Sequence, residues 1–412
     1  MFAQPQRNLK MVDQTLARFL NELRILTMLR TQGPASRADI ARHLGVTPAT
    51  ITRLINGLVE RDLVREARKP YSVTDKLREP GRPGGQVFLN AEGAFFLGVE
   101  IGVGVMRFAV IDLLAGVVDS QEISIPRDTS PTLAVNAISE HLSSLTIQQR
   151  YRDKIHSVGV TVPGIVTSEG YVVNLPILGW KSVDLLAELS RAVRLPCSVE
   201  NNANAAAFGA VYTQPSLPSV CTIFLKLGTG CGGAAIVNGR LLRGAGGTAG
   251  EFGHIRLSDE GALCSCGQKG CLESWVNLGS LARSLHGTDQ LTESQFAALP
   301  ADVVAGAEQK DPVAIKALDD FTRWLTLGIV SLINMFNPST VILGGVMRPV
   351  LEFTLERIRT GVQSGIIPGI PVPEVRLSEL GKFECAIGAA TIAHHHGFDI
   401  SRVEISEQEL QP

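Results

Sequence analysis

The sequence is short of aromatic residues and of charge. Phe, Tyr and Trp make up 5% of the chain and charged residues 19%, against 45% hydrophobic. Few aromatics argue against an all-β protein, and so large an apolar share excludes a disordered chain. The opening stretch MFAQPQRNLKMVDQTLARFL has no apolar core, so no secretory signal is expected. No run of about 18 apolar residues exists to span a membrane; LGIVSLINMF is too short and ends at Asn337-Pro338. The chain is therefore expected to be cytoplasmic, with no membrane insertion. Thiols stay reduced there, so clustered cysteines point to metal rather than to disulfides.

With 412 residues and 41 glycines, the chain has room for two or three domains of a Gly-turned α/β kind. Its net charge of −2 conceals an imbalance. Residues 1–90 hold 15 Lys and Arg against 8 Asp and Glu, a balance of +7; the remaining 322 residues hold 23 against 32, a balance of −9. A basic head on an acidic body points to nucleic acid at one end.

The head reads as a winged helix-turn-helix spanning 1–90. A helix over 12–31 carries Leu16, Leu20, Leu23, Leu26 and Leu29 on one stripe and is broken by Gly33-Pro34. Ser36 with Asp39 forms a capping-box pattern, and Gly45 suits the position just past a helix end. Thr47 and Pro48 then open a second helix as cap and first residue. Ile51, Leu54 or Ile55, and Leu58 face inward there, leaving Thr50, Thr52, Arg53 and Asn56 outside, where small, amide and guanidinium groups can reach base edges. LVREAR and GGQVFLN read as wing strands. Gly81-Arg82-Pro83 between them resembles the short hook that carries an Arg into a narrow minor groove; a plain linker is the alternative. Candidate DNA contacts are thus Ser36, Thr47, Thr50, Thr52, Arg53, Asn56 and Arg82.

Residues 91–412 read as an α/β body. FFLGVEIGVGVMRFAVIDLLAGVV has the look of strands meeting at turns. Helices are expected at 131–146, 182–193, 203–212, 312–336, 349–363 and 385–396. SVGVTVPGIV, PCSVENN and STVILGG are expected as strands. Two halves, each strands first and helices after, imply two lobes around a cleft. His394–His396 near the last helix end reads as surface, and the tail after Gly397 as polar.

From Phe95 to His396 the chain resembles the ROK family, which unites bacterial sugar kinases with sugar-responsive repressors. EFGH followed by CSCGQKGCLES is the most specific stretch; VTVPGIV, ENNANAAAFG, LGTGCGGAAIVNG and STVILGG follow the family order. The resemblance implies an α/β, two-lobed, actin-like and ribonuclease-H-like body. The attached head is similar to the repressor branch, which includes regulators of glucose, N-acetylglucosamine and xylose operons.

The spacing His254-x9-Cys264-x-Cys266-x4-Cys271 offers one imidazole and three thiolates. That is a closed tetrahedral set of the kind structural zinc (Zn2+) prefers, with no position left for a reactive water. Buried free thiols are the alternative. Cys197, Cys221, Cys231 and Cys385 are isolated and read as core residues. The resemblance implies that the second nitrogen of His254 faces a sugar hydroxyl. It also implies a sugar pocket of Gly164, Asn201, Asn202, Glu251, His254 and Glu273, with carboxylates accepting from vicinal hydroxyls.

Two departures argue against phosphoryl transfer. The family's kinases carry Asn-Asp where this chain has Asn201-Asn202, and an amide accepts no proton at neutral pH. Their Asp-x-Gly-Gly-Thr loop is EIGVGV here, with Val103 where a Gly lets backbone approach phosphate. No catalytic residue and no enzyme activity are therefore expected. The reading is a repressor that binds a palindromic operator as a homodimer or higher homo-oligomer and whose operator affinity is controlled by a monosaccharide or derivative; release by the sugar is what the resemblance implies. An ATP-dependent sugar kinase with a regulatory head, and a repressor controlled by a sugar-transporter protein, are the rivals.

Overall fold

The structure is a computed structural model that describes residues 14–67, 85–214 and 220–398. The head begins with α1 (Gln14–Gln32), followed by β1 (Ala35–Ser36), α2 (Arg37–Leu44) and α3 (Pro48–Glu60). Ser36 caps α2 by accepting from the Asp39 N–H, and Gly45 closes it in the left-handed conformation at φ 68°. Thr47 caps α3 by accepting from the Thr50 N–H, with Pro48 next. These are the caps the sequence predicts. Ile51, Leu54, Ile55 and Leu58 are all buried, so both candidates for the middle inward position point to the core. The wing strands β2 (Val64–Ala67) and β3 (Gln86–Leu89) pair antiparallel, and β1 adds to the far side of β3. Arg82 and the Gly81–Pro83 hook lie outside the described residues.

Lobe I is a five-stranded sheet. β4 (Phe95–Ile101), β5 (Val105–Asp112) and β6 (Val117–Ser124) form an antiparallel meander; α4 (Pro131–Ile147) then leads to β7 (Ile155–Val162), parallel to β4. A small sheet of β8 (Ile165–Val166), β9 (Val172–Leu175) and β10 (Trp180–Val183) follows, then α5 (Leu185–Val193) and β11 (Cys197–Asn201), which completes the order β11-β7-β4-β5-β6. β4 is central and buried along its whole length, as its continuous apolar run requires.

After α6 (Asn202–Tyr212), lobe II repeats the plan. β12 (Cys221–Leu227), β13 (Cys231–Val237) and β14 (Arg240–Leu241) form the meander. Next come α7 (Glu273–Val276), α8 (Leu278–His286), α9 (Glu293–Glu308) and α10 (Pro312–Phe336). β15 (Thr340–Gly344), α11 (Arg348–Gly365) and β16 (Glu374–Leu377) give the order β14-β13-β12-β15-β16. In each lobe the first strand continues into a two-strand antiparallel meander on one side and is flanked by two parallel strands on the other. This shared strand order matches the two-half plan that the element order suggested.

Two helices join the lobes. α12 (Glu384–Phe398) lies on the lobe I sheet, so closely that a Cβ on Gly98 would strike the Ala386 carbonyl oxygen. α6 lies on the lobe II sheet, its alanines packed with Phe224, Ala234 and Ile342. The two cross at Gly388, where a Cβ would strike the Ala205 carbonyl oxygen. The head rests on lobe I through one shared core: Leu29, Ile40 and Val87 join Phe96, Ile111 and Leu113. One expectation fails here. His394 is fully buried in this junction, not on the surface. Its Nε2 bonds to the Leu113 carbonyl at 2.9 Å, and its Nδ1 bonds to the Tyr212 hydroxyl at 2.8 Å. Burial without unmet polar groups explains how a histidine is tolerated there.

Candidate functional site

On the reading helix α3, Thr52, Arg53 and Asn56 are exposed and Thr50 is half-buried. Three candidates are committed to local structure: Ser36 and Thr47 are caps, and the Thr52 hydroxyl donates to the Pro48 carbonyl at 2.9 Å. Arg53 makes no hydrogen bond among the described residues, which leaves its guanidinium open to a partner. Asn56 accepts from Arg37 at 2.8 Å; Arg37 also forks onto Glu66 of β2 at 2.6 and 3.0 Å. Arg37 thus ties the reading helix to the wing. Sequence reasoning missed this role, because its partners lie 19 and 29 residues away.

The cysteine loop brings its four predicted ligands together. The donor atoms of His254, Cys264, Cys266 and Cys271 all lie within 4.8 Å of one another. Cys266 and Cys271 sulfurs are 3.7 Å apart, and His254 Nδ1 is 3.4 Å from the Cys264 sulfur. A tetrahedral zinc with bonds of about 2.3 Å to sulfur puts its sulfurs about 3.8 Å apart, so the spacing fits. Burial pushes the Cys264 thiol up to about 12 and raises Cys271, while the Gln268 backbone lowers Cys266. A coordinating cation reverses the first two, since it binds thiolate.

Nδ1 of His254 faces the sulfurs, so Nε2 is the nitrogen left over; it lies 3.8 Å from Glu251 Oε2. Glu251 in turn lines a pocket with Gly164, Ile165, Asn201, Asn204 and Thr248. Asn201 Nδ2 donates to the Gly164 carbonyl at 2.8 Å, while its Oδ1 caps α6. Behind it, buried Glu200 accepts from the Asn204 amide at 3.0 Å and pairs with Arg243 at 2.6 Å. The free space between these side chains is about 10 Å3, room for one water. A monosaccharide enters only if the pocket opens.

Two expected pocket residues stand elsewhere. Glu273 is buried behind the cysteine loop. It accepts from the Cys231 N–H at 3.0 Å, from the Ser265 hydroxyl at 2.5 Å and from the Cys264 thiol at 3.2 Å. A buried carboxylate needs donors, and these are the donors at hand. Asn202, half-buried at the start of α6, makes no side-chain hydrogen bond among the described residues and does not line the pocket.

The Gly344-Gly345 turn has a tenant of its own. A Cβ on Gly344 would meet Glu384 Oε2 at 2.5 Å. Glu384 is buried, and burial raises its carboxyl to about 7. The turn's open backbone accommodates this side chain.

The comparisons agree with this architecture. The ROK family matches residues 96–396, and the MarR family matches residues 20–71. The xylose repressor of Bacillus spizizenii is 27% identical over 395 residues, covering 95% of this chain and 99% of that protein. A glucokinase of Streptomyces coelicolor is 31% identical over 312 residues, covering 72% of this chain and 96% of that enzyme. Among solved structures, a ROK family transcriptional regulator described as a homolog of the E. coli MLC protein superposes with a TM-score of 0.76. It is 25% identical and covers 93% of this chain and 98% of its own. The glucokinase match covers 72% of this chain, whereas the two regulators cover 95% and 93% of it. With its two lobes, its His-Cys loop and a MarR-type winged helix in front, the chain belongs to the ROK family.

Proposed function

We propose that this protein is a sugar-responsive transcriptional repressor, with residues 1–90 reading operator DNA and residues 91–412 sensing a monosaccharide or derivative. The observation that carries the reading is one chain holding both an open reading helix and a kinase-like body whose sequence has Asn202 where the family's kinases carry their base. An amide there cannot take the proton that the kinases' Asp takes, and Glu384 puts a carboxyl group at the Gly344 turn. Both favour binding over phosphoryl transfer.

Gly164, Asn201 and Glu251 hold the sugar, with His254 Nε2 donating to a hydroxyl. Asn202 and Glu273 flank them, and Glu273 braces the cysteine loop against the turn before Cys231. Zinc, when bound by His254 Nδ1 and the three sulfurs, ties the loop at four points. His254 is then held in one tautomer, with Nε2–H turned to the cleft. The protein acts as a homodimer on a palindromic operator, Arg53 and its neighbours entering the major groove of each half-site. Sugar binding opens the pocket and lowers operator affinity by the difference in its own affinity for the two states.

A thermal-shift screen against a monosaccharide panel tests this. A sugar that binds the native state raises the melting temperature with concentration. No shift with any sugar, together with retained binding to a transporter domain, contradicts it.

A further inference from the structure

The head meets the body through two kinds of contact. One is fixed: Lys154 reaches Asp62 at 3.2 Å and the Glu92 carbonyl at 3.0 Å, and the shared core runs through Phe96, Ile111 and Leu113. All of these body residues belong to lobe I. The other comes from the element that lobe II carries. The Arg30 guanidinium, in the last turn of α1, lies 4.3 Å from the centre of the Tyr212 ring. Tyr212 is the last residue of α6.

The first turn of α6 lines the pocket through Asn204, and its cap Asn201 holds the Gly164 carbonyl. The helix has 11 residues, a rod about 16 Å long. Ala203 through Ala210 are buried without a break, so the rod moves as a unit. One end touches the pocket and the other supports the head.

The contact at the far end is built to shift. Nε of Arg30 is buried with no hydrogen-bond partner, so the ring face is what places the guanidinium. A carbonyl only accepts, so His394 Nε2 carries the proton given to Leu113, and Nδ1 accepts from the Tyr212 hydroxyl. Tyr212 therefore has its backbone on the lobe II helix, its hydroxyl on the lobe I helix and its ring under the head. Lobes that part to admit a ligand cannot keep all three.

We infer that Tyr212 is the positioning residue through which the state of the pocket reaches the DNA-reading head, by way of Arg30. This rests on the sugar-responsive reading above. When the lobes part, α6 travels with the lobe II sheet while α1 stays on lobe I, and the ring slides from beneath the guanidinium. The last turn of α1 loses its support and re-aims the reading helix packed on it.

The test uses the full chain, a duplex selected by it from a random library, and D-xylose, D-glucose and N-acetyl-D-glucosamine as probes. Arg30→Gln removes the cation; Tyr212→Phe keeps the ring and removes the hydroxyl. Calorimetric sugar affinity is expected within about threefold of wild type, because neither residue lines the pocket. The factor by which sugar changes operator affinity, typically about 5–150-fold, is expected to fall at least about fivefold in Arg30→Gln, in line with a partly desolvated cation–π contact. The double variant falls no further than the worse single one. Coupling unchanged in both variants, or losses that multiply independently, overturns the inference. The reverse direction needs no sugar, since coupling is reciprocal. Operator binding is expected to change amide exchange at 164–167 and 201–205 in wild type but not in Arg30→Gln. No change in wild type, or the same change in the variant, also overturns it. A wild type that ignores all three sugars yet shows this exchange pattern sinks the sugar reading and leaves the joint standing.

Discussion

Asn201 stands 2.8 Å from the carbonyl oxygen of Gly164 and caps α6 with its other amide atom. One side chain thereby joins the loop after β7 to the helix that ends under the head. Asn201→Ala removes both ties. A lost N-cap costs about 0.5–2 kcal/mol, so a lowered urea midpoint is expected. Sugar affinity falls as well, because the Gly164 loop loses its anchor. Unchanged sugar affinity in a folded Asn201→Ala protein removes this residue from the pocket.

On the proposed reading, metal and sugar are linked through His254. Cys264→Ser is expected to lose bound zinc, measured by elemental analysis, and to weaken sugar binding in calorimetry. Since Cys264 and Cys271 are held protonated in the protein alone, zinc uptake releases about two protons or more and weakens on acidification. Uptake that is indifferent to pH between 8 and 6 contradicts this ligand set.

Arg53 is the exposed α3 cation with no hydrogen bond among the described residues, and Arg37 braces the same helix from the wing. Arg53→Ala is expected to cost about 1–3 kcal/mol of operator affinity and to relax sequence preference at one position, leaving sugar affinity intact. Arg37→Ala instead loosens the helix–wing tie and weakens all sequences alike. Mobility shifts on a mutated operator set separate the two patterns.

Acid stability reports on the junction. Burial, with Arg30 and His395 adding to it, lowers His394 from 6.5 to about 3. Between those values the unfolded chain binds the extra proton and the folded one does not. Stability is therefore complete above pH 6.5 and is lost as pH falls toward 3, by on the order of 5 kcal/mol in all at about 1.4 kcal/mol per unit. His394→Gln is expected to flatten the slope of urea stability between pH 6.5 and 5. An equal slope in both proteins contradicts the neutral, buried assignment.

Much of this was legible in the chain. Caps such as Ser36, Thr47 and Pro48 act within a few residues, so α2 and α3 follow directly from sequence. The His254, Cys264, Cys266 and Cys271 spacing is local too. What escaped depends on distance. His394 sits in a run that reads as polar, yet lobe I, α6 and α1 close over it from residues 182 and more positions away. Glu273 was placed in the pocket by its motif. Its actual donors, Cys231 and Ser265, are set by how the loop folds back. Helices α7 to α9 and the small β8–β10 sheet were not anticipated, although α8 is capped by Asn277 and Gly287 and α9 opens on a Thr292–Gln295 capping box, so two of these helices did carry local signals.

The central claim is that a sugar pocket in a body with Asn202 in place of the kinases' Asp speaks to a DNA-reading head. The most direct measurement titrates a monosaccharide panel into the full chain bound to a fluorescent operator duplex, with ADP release followed in a parallel reaction containing ATP. The account predicts that one sugar lowers operator affinity at least about fivefold and that no sugar raises ADP above background. Sugar-dependent ADP at ordinary kinase turnover, with operator affinity unmoved by that sugar, would contradict it.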